Sequence, residues 1–141
     1  MTARDVLEQT VLAAAQHLIE AFARHDRVAY FDAFSPEATF IFHATEAAVP
    51  SRDAYEALWE QWEREDGWRV RSCHSSDRAV QLLGDAAVFH HRVHTTVATK
   101  MGEVHLQERE TIIFRRVAGD RWVAVHEHLS PMPAPAGASL P

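Results

Sequence analysis

Apolar residues recur at helical spacing through the first part of the chain and at alternate positions through its second half. Leu7, Val11, Ala14, Leu18 and Phe22 fall on one stripe of a helix, with Thr2 and Asp5 placed to cap its start. Asp26 can cap a shorter helix that buries Tyr30, Phe31 and Phe34 and is stopped by Ser35-Pro36. Ala38–His43 reads as a strand. Ser51 opens a third helix with Tyr55, Leu58, Trp59 and Trp62 on one stripe, and Gly67 ends it. Beyond Gly67 the pattern predicts strands only, near 68–75, 78–83, 86–99, 104–117 and 121–130. Gly84-Asp85, Lys100-Met101-Gly102 and Ala118-Gly119-Asp120 supply the turns. The 86–99 run would span roughly 45 Å if straight, so a bend or bulge there is expected to curl the sheet around the helices. Residues 1–132 then make one domain, and the Pro/Ala-rich residues 133–141 make a loose tail.

Helices first and a curved, mainly antiparallel sheet afterwards define an α+β class, with three helices packed on one sheet face. Composition narrows the function. A hydrophobic fraction of 47% with 24% charged residues is ordinary for a globular chain of 141 residues. The formal charge of −6 argues against nucleic acid and acidic membrane surfaces as partners, because both need clustered cations. Cys73 is the single cysteine, which excludes an intrachain disulfide and a cysteine-based zinc site. No apolar run approaches the roughly 20 residues that span a bilayer. The polar and acidic N-terminus reads as cytoplasmic sequence rather than a secretory leader.

Candidate chemistry concentrates near the end of the last strand, at His126-Glu127-His128-Leu129-Ser130. Strict alternation would place Trp122, Ala124, His126, His128 and Ser130 on one face, as a pocket lining, with Glu127 facing away. His128 and Ser130 would then be close enough to share a water or a polar substrate atom. On the penultimate strand Arg109 and Thr111 share a face, where Arg109 could hold a carboxylate or carbonyl oxygen. Trp59, Trp62, Trp68 and Trp122 are expected as core and pocket wall rather than as stacking platforms for bases. His126 and His128, about 6–7 Å apart along a strand, could share a metal with His43, His74 or His94, although no specific ligand spacing supports this.

The helix Leu7–Arg24, the strand Ala38–His43, the helix Ser51–Trp62, the segment Arg109–Arg116 and the closing Gly119–Ser130 segment resemble the nuclear-transport-factor-two-like superfamily. Within it, the chain is similar to SnoaL-like and ketosteroid-isomerase-like proteins over about residues 4–132. The resemblance implies a cone-shaped α+β barrel with an internal apolar pocket, and a homodimer. It also places His43 where ketosteroid isomerases carry a catalytic aspartate, so a base is expected there although the carboxylate is missing. The implied function is cofactor-free proton transfer on an apolar small molecule: isomerisation, cyclisation, dehydration or hydration. His43, His128 and Ser130 would be catalytic, and Arg109, Thr111, Trp59, Trp122 and His126 would bind substrate. One alternative is a non-catalytic ligand-binding or assembly domain. Another is a histidine-cluster metal enzyme, or one similar to iota-class carbonic anhydrases, which the His-x-His-x-Ser-x-Met-Pro pattern from His126 to Pro133 loosely echoes.

Overall fold

The computed structural model describes residues 1–133, so the expected tail lies outside the described residues except for Pro133. Helix ends sit where the sequence supplies caps. Helix α1 (Ala3–Ala23) opens with a reciprocal box in which the Asp5 amide donates to Thr2 Oγ1 and the Thr2 amide donates to the Asp5 carboxylate, both at 3.0 Å. Asp26 accepts from the Ala29 amide at the start of α2 (Arg27–Asp32), and Ser51 accepts from the Ala54 amide at the start of α3 (Arg52–Asp66). Gly67 ends α3 with φ +61°, in the left-handed region that favours glycine.

Strand β1 covers Phe34–Ile41, which is earlier than the expected Ala38–His43. The reason is pairing: Phe34 already lies opposite Ala124, and the Ala124 amide donates to the Ala33 carbonyl at 2.9 Å. The remaining strands are β2 (Arg69–Leu83), β3 (Ala86–Thr99), β4 (Gly102–Val117) and β5 (Arg121–Pro131), with a short 3-10 turn, Ala118–Asp120, before β5. They form one open sheet in the order β1-β5-β4-β3-β2, in which only β1 and β5 run parallel. This is the expected mixed, mainly antiparallel α+β arrangement, curved but not closed into a barrel.

The irregularities fall elsewhere than expected. Strand β3 pairs with β4 in continuous register from Ala86–Arg115 to Thr99–Gly102, so the long strand carries no bulge against that neighbour. Residues 69–83 are one strand rather than two; its register to β3 shifts between Ser76 and Ala79, beside Asp77 at φ +52°.

A second shift has larger consequences. Ile113 lies opposite His126 while Phe114 lies opposite Ala124, so Val125 is an extra residue in β5. A bulge of one residue reverses which face every following side chain meets. Trp122 and Ala124 point into the core, but past Val125 the inward positions are Glu127 and Leu129. His126, His128 and Ser130 turn to the outer face. The expectation of a shared face from Trp122 to Ser130 is corrected by this bulge, and Glu127, only 1% exposed, is the residue that faces inward.

The helices cover the inner sheet face. The core centres on Trp59, which is fully buried with Tyr30, Phe31 and Trp68 around it at ring separations of 4.7–5.5 Å. Each such side chain contributes about 1.5–3 kcal/mol by burial. His25 ties three elements together: the Val70 amide donates to Nδ1, and Nε2 meets Glu63 of α3 at 2.8 Å. No helix among the described residues is long and apolar enough to cross a membrane.

Candidate functional site

Towards one end of the sheet the core gives way to a cavity of about 400 Å³ between the helices and the inner face. Its walls are apolar: Leu18 and Phe22 from α1, Trp62 from α3, Trp68, and Val93 and Val97 from β3. Exposed Met101 and Lys100, in the β3–β4 turn, also border it. Alternation along β4 explains the polar groups inside. Leu106, Ile112 and Phe114 face inward, and Glu108 and Glu110 occupy the same inward series. Glu127 joins them from β5, so three glutamates share one apolar cavity.

Their partners differ. Glu108 receives a short contact from His43, with Nε2 and Oε2 2.5 Å apart. Burial holds the Glu108 carboxyl above its ordinary range, and His43 acts against that shift. Glu110 meets His91 Nε2 at 2.7 Å, and the other ring nitrogen of His91 meets Ser75 Oγ at 2.6 Å. The His91 side chain is fully buried, and Arg78 Nε donates to Ser75 Oγ from outside, so the pair is anchored through the sheet to its surface.

Glu127 has no basic partner. The Tyr30 hydroxyl donates to its Oε2 at 3.3 Å, and the Tyr55 hydroxyl lies 3.0 Å from that of Tyr30. Burial first, and then the adjacent Glu110 carboxylate, push Glu127 well above the usual carboxylate range. Burial likewise holds Tyr30 and Tyr55 well above the ordinary phenol value, so both hydroxyls stay neutral. Opposite, Thr95 donates to Cys73 Sγ, and burial pushes the Cys73 thiol up to about 12. The cavity therefore joins an imidazole–carboxylate pair to a cluster of neutral hydrogen-bond donors. The first group suits accepting a proton, and the second suits stabilising charge on a nearby oxygen.

Of the catalytic and substrate-binding residues expected from sequence, His43 alone lines this cavity. Trp59 and Trp122 are core residues that do not reach its wall, whereas Trp62 and Trp68 do. Arg109, Thr111, His128 and Ser130 come together, but in a shallow groove on the opposite face of the sheet with His90, Arg92 and Asp77. His126 is also on that face, where its Nδ1 meets the Thr39 hydroxyl at 2.8 Å. The His126 and His128 rings stand 6.5 Å apart, edge to face, while His43 is engaged with Glu108 in the inner cavity. Among the described residues no group of three or more His, Cys, Asp or Glu side chains is placed to hold a metal ion.

Sequence reasoning missed Glu108, Glu110, Glu127, His91, Tyr30 and Tyr55 as site residues. The signal for two of them was present. Carboxylates at 108 and 110 continue the series Leu106, Ile112, Phe114, and a charged residue in step with core positions marks a buried polar site.

An open, curved α+β sheet covered by helices, enclosing an apolar cavity with a few polar groups, defines a cone-type pocket domain. The model of the SnoaL-like domain matches residues 11–135, and the chain belongs to that family. Solved structures agree on the fold. A nuclear transport factor 2-like superfamily protein from Salmonella enterica is 18% identical, with a TM-score of 0.75 over 98% of this chain and 100% of that one. The CaMKII hub of S. rosetta is 21% identical, with a TM-score of 0.72 over 89% and 96%. A protein from Catenulispora acidiphila in complex with S-DNPA is 12% identical, with a TM-score of 0.71 over 86% and 90%. No curated protein matches the chain.

Proposed function

We propose that the inner cavity is an acid–base active site that moves a proton on an apolar small molecule bearing a carbonyl or similar polarisable oxygen. The observation that carries this reading is the presence, in one apolar cavity, of the His43–Glu108 pair and a buried Glu127, backed by two tyrosines, whose carboxyl is held by burial well above the usual carboxylate range. Glu108 accepts from His43 Nε2–H, which fixes the ring and leaves Nδ1 with a free lone pair. Nδ1 takes a proton from the carbon next to the carbonyl. The electron pair moves onto the oxygen, where the Glu127 O–H, backed by the Tyr30 hydroxyl that donates to Glu127 and the Tyr55 hydroxyl that donates to Tyr30, gives a stabilising hydrogen bond. Return of the proton from the imidazolium to another carbon completes an isomerisation, and loss of a neighbouring hydroxide completes a dehydration. Apolar surroundings strengthen the interactions of the buried Glu127, Tyr30 and Tyr55, while the His43 side chain stays 37% exposed and open to an entering substrate.

A second reading is a ligand-binding domain without chemistry, supported by the likeness in fold to a kinase hub. Nuclear magnetic resonance of apolar cyclic ketones and enones in deuterated water separates the two. Deuterium entering next to the carbonyl faster than in protein-free solution supports proton transfer. Ligands that quench the cavity tryptophans, with none of them exchanging above background, support binding alone and reject the enzyme reading.

A further inference from the structure

We propose that His91 is a positioning residue: it decides how the buried carboxyl pair Glu110–Glu127 shares one proton, holding the charge on Glu110 and the proton on Glu127. The pair arises from the register of two neighbouring strands. Ile112 of β4 lies opposite Glu127 of β5, so Glu110, one step back on the same inward series, is the diagonal neighbour of Glu127. The two carboxyls hydrogen-bond to each other inside the cavity. Such a bond exists only while one of them keeps a proton, because two carboxylates both accept and neither donates.

Unequal surroundings place the proton. His91 Nε2 meets Glu110 at 2.7 Å, whereas the Tyr30 hydroxyl meets Glu127 at a longer 3.3 Å. The direction of the His91 bond follows from what stands behind the ring. A guanidinium can only donate, so Ser75 Oγ accepts from Arg78 Nε at 2.8 Å and turns its own hydrogen to His91 Nδ1 at 2.6 Å. The ring proton is then on Nε2, aimed at Glu110. That donor stabilises a charge on Glu110, and the charge so fixed disfavours a second one on Glu127. Burial acts in the same sense, since Glu127 is 1% exposed and the Glu110 side chain 11%.

The other ionisable groups around the pair leave this order in place. Tyr30 of α2, Tyr55 of α3 and Cys73 of β2 are held neutral by burial, and Glu108 of β4 is engaged by His43. Asp66 and Lys100, both exposed, border the cavity where it meets solvent. The catalytic consequence rests on the proton-transfer reading. Without substrate the Glu127 O–H rests on Glu110; a substrate oxygen takes that O–H over, while His91 keeps Glu110 hydrogen-bonded. His91, Glu110 and Glu127 all face the helices, so a second chain covering the outer face of the sheet leaves them unchanged.

The test records the carbon-13 signals of the glutamate carboxyls by nuclear magnetic resonance across a pH titration of the full chain, assigned with Glu110→Gln and Glu127→Gln. At about pH 6 the Glu127 signal should stand at the position of a protonated carboxyl and the Glu110 signal at that of a carboxylate. His91→Leu removes the donor, so the pair should take up its second proton at a pH higher by at least about one unit, the share of one hydrogen bond to a charged group. His91→Gln keeps an N–H near the same place and should restore most of the wild-type behaviour. Ser75→Ala, which frees the ring to turn, gives a smaller shift of the same sign and serves if the leucine variant does not fold. Reversed placement of the proton, two signals at one averaged position, or a second protonation that neither His91→Leu nor Ser75→Ala moves overturns the proposal. The carboxyls are read without substrate, so absence of deuterium exchange alongside the expected titration rejects the enzyme reading alone.

Discussion

Replacing Glu127 with glutamine tests whether the cavity holds a proton that water would remove. Glutamine keeps the shape, an oxygen that accepts from Tyr30, and an N–H that can donate to Glu110. At pH 5 the two proteins should therefore lie within about 1 kcal/mol of each other in stability, the worth of a typical exchanged hydrogen bond. The sign of the pH dependence follows from proton counting. In the unfolded chain Glu127 ionises near its ordinary value, about 4.3, whereas in the folded protein burial and Glu110 hold its proton to higher pH. The folded state then binds more protons, so the contribution of Glu127 to stability falls as pH rises through that window. The loss is about 1.4 kcal/mol per pH unit and stops where the folded carboxyl finally ionises. Glutamine does not titrate, so Glu127→Gln should gain on the wild type by that slope and then level off. Urea unfolding followed by tryptophan fluorescence at half-unit steps from pH 5 to 8 measures the difference. A stability difference that is constant over this range would refute the buried protonated acid.

Three further outcomes follow from the same geometry. The Cys73 thiol, pushed up to about 12 by burial, should react with a disulfide reagent far more slowly in the folded protein than in urea; similar rates in both would contradict its placement against Thr95. Trp59→Ala should cost about 3–5 kcal/mol in urea unfolding, and Trp59→Phe much less, because the buried indole N–H has no hydrogen-bond partner among the described residues. Light scattering should give about twice the chain mass of 15.9 kDa if the homodimer implied by the family resemblance forms; a mass equal to one chain at micromolar concentration would remove that expectation.

The sequence carried the architecture because its signals are local. Thr2, Asp26 and Ser51 cap helices with their own side chains, Gly67 stops one by adopting a positive φ, and simple alternation along 86–99 matches the burial of Phe89, His91, Val93, Thr95 and Val97. The candidate site was less legible. One inserted residue, Val125, carries no glycine or proline to announce it, yet it exchanges His128 and Ser130 for Glu127 and Leu129 on the inner face. Extrapolating a period of two across that point therefore placed the histidine row inside. The start of β1 was misplaced for a different reason: pairing with β5, which lies about ninety residues later, decides it. The carboxylates at 108 and 110 are in step with Ile112 and Phe114, which marks them as inward, although a charge on a strand ordinarily belongs to its solvated face.

The central claim is that the cavity transfers protons through His43 oriented by Glu108. Deuterium incorporation into a cavity-bound ketone, measured for the wild type, His43→Asn and Glu108→Gln, tests it most directly. The account predicts exchange by the wild type and a loss of about 10²–10⁴-fold in His43→Asn, with a smaller loss in Glu108→Gln. Wild-type exchange that persists undiminished in both variants would contradict it.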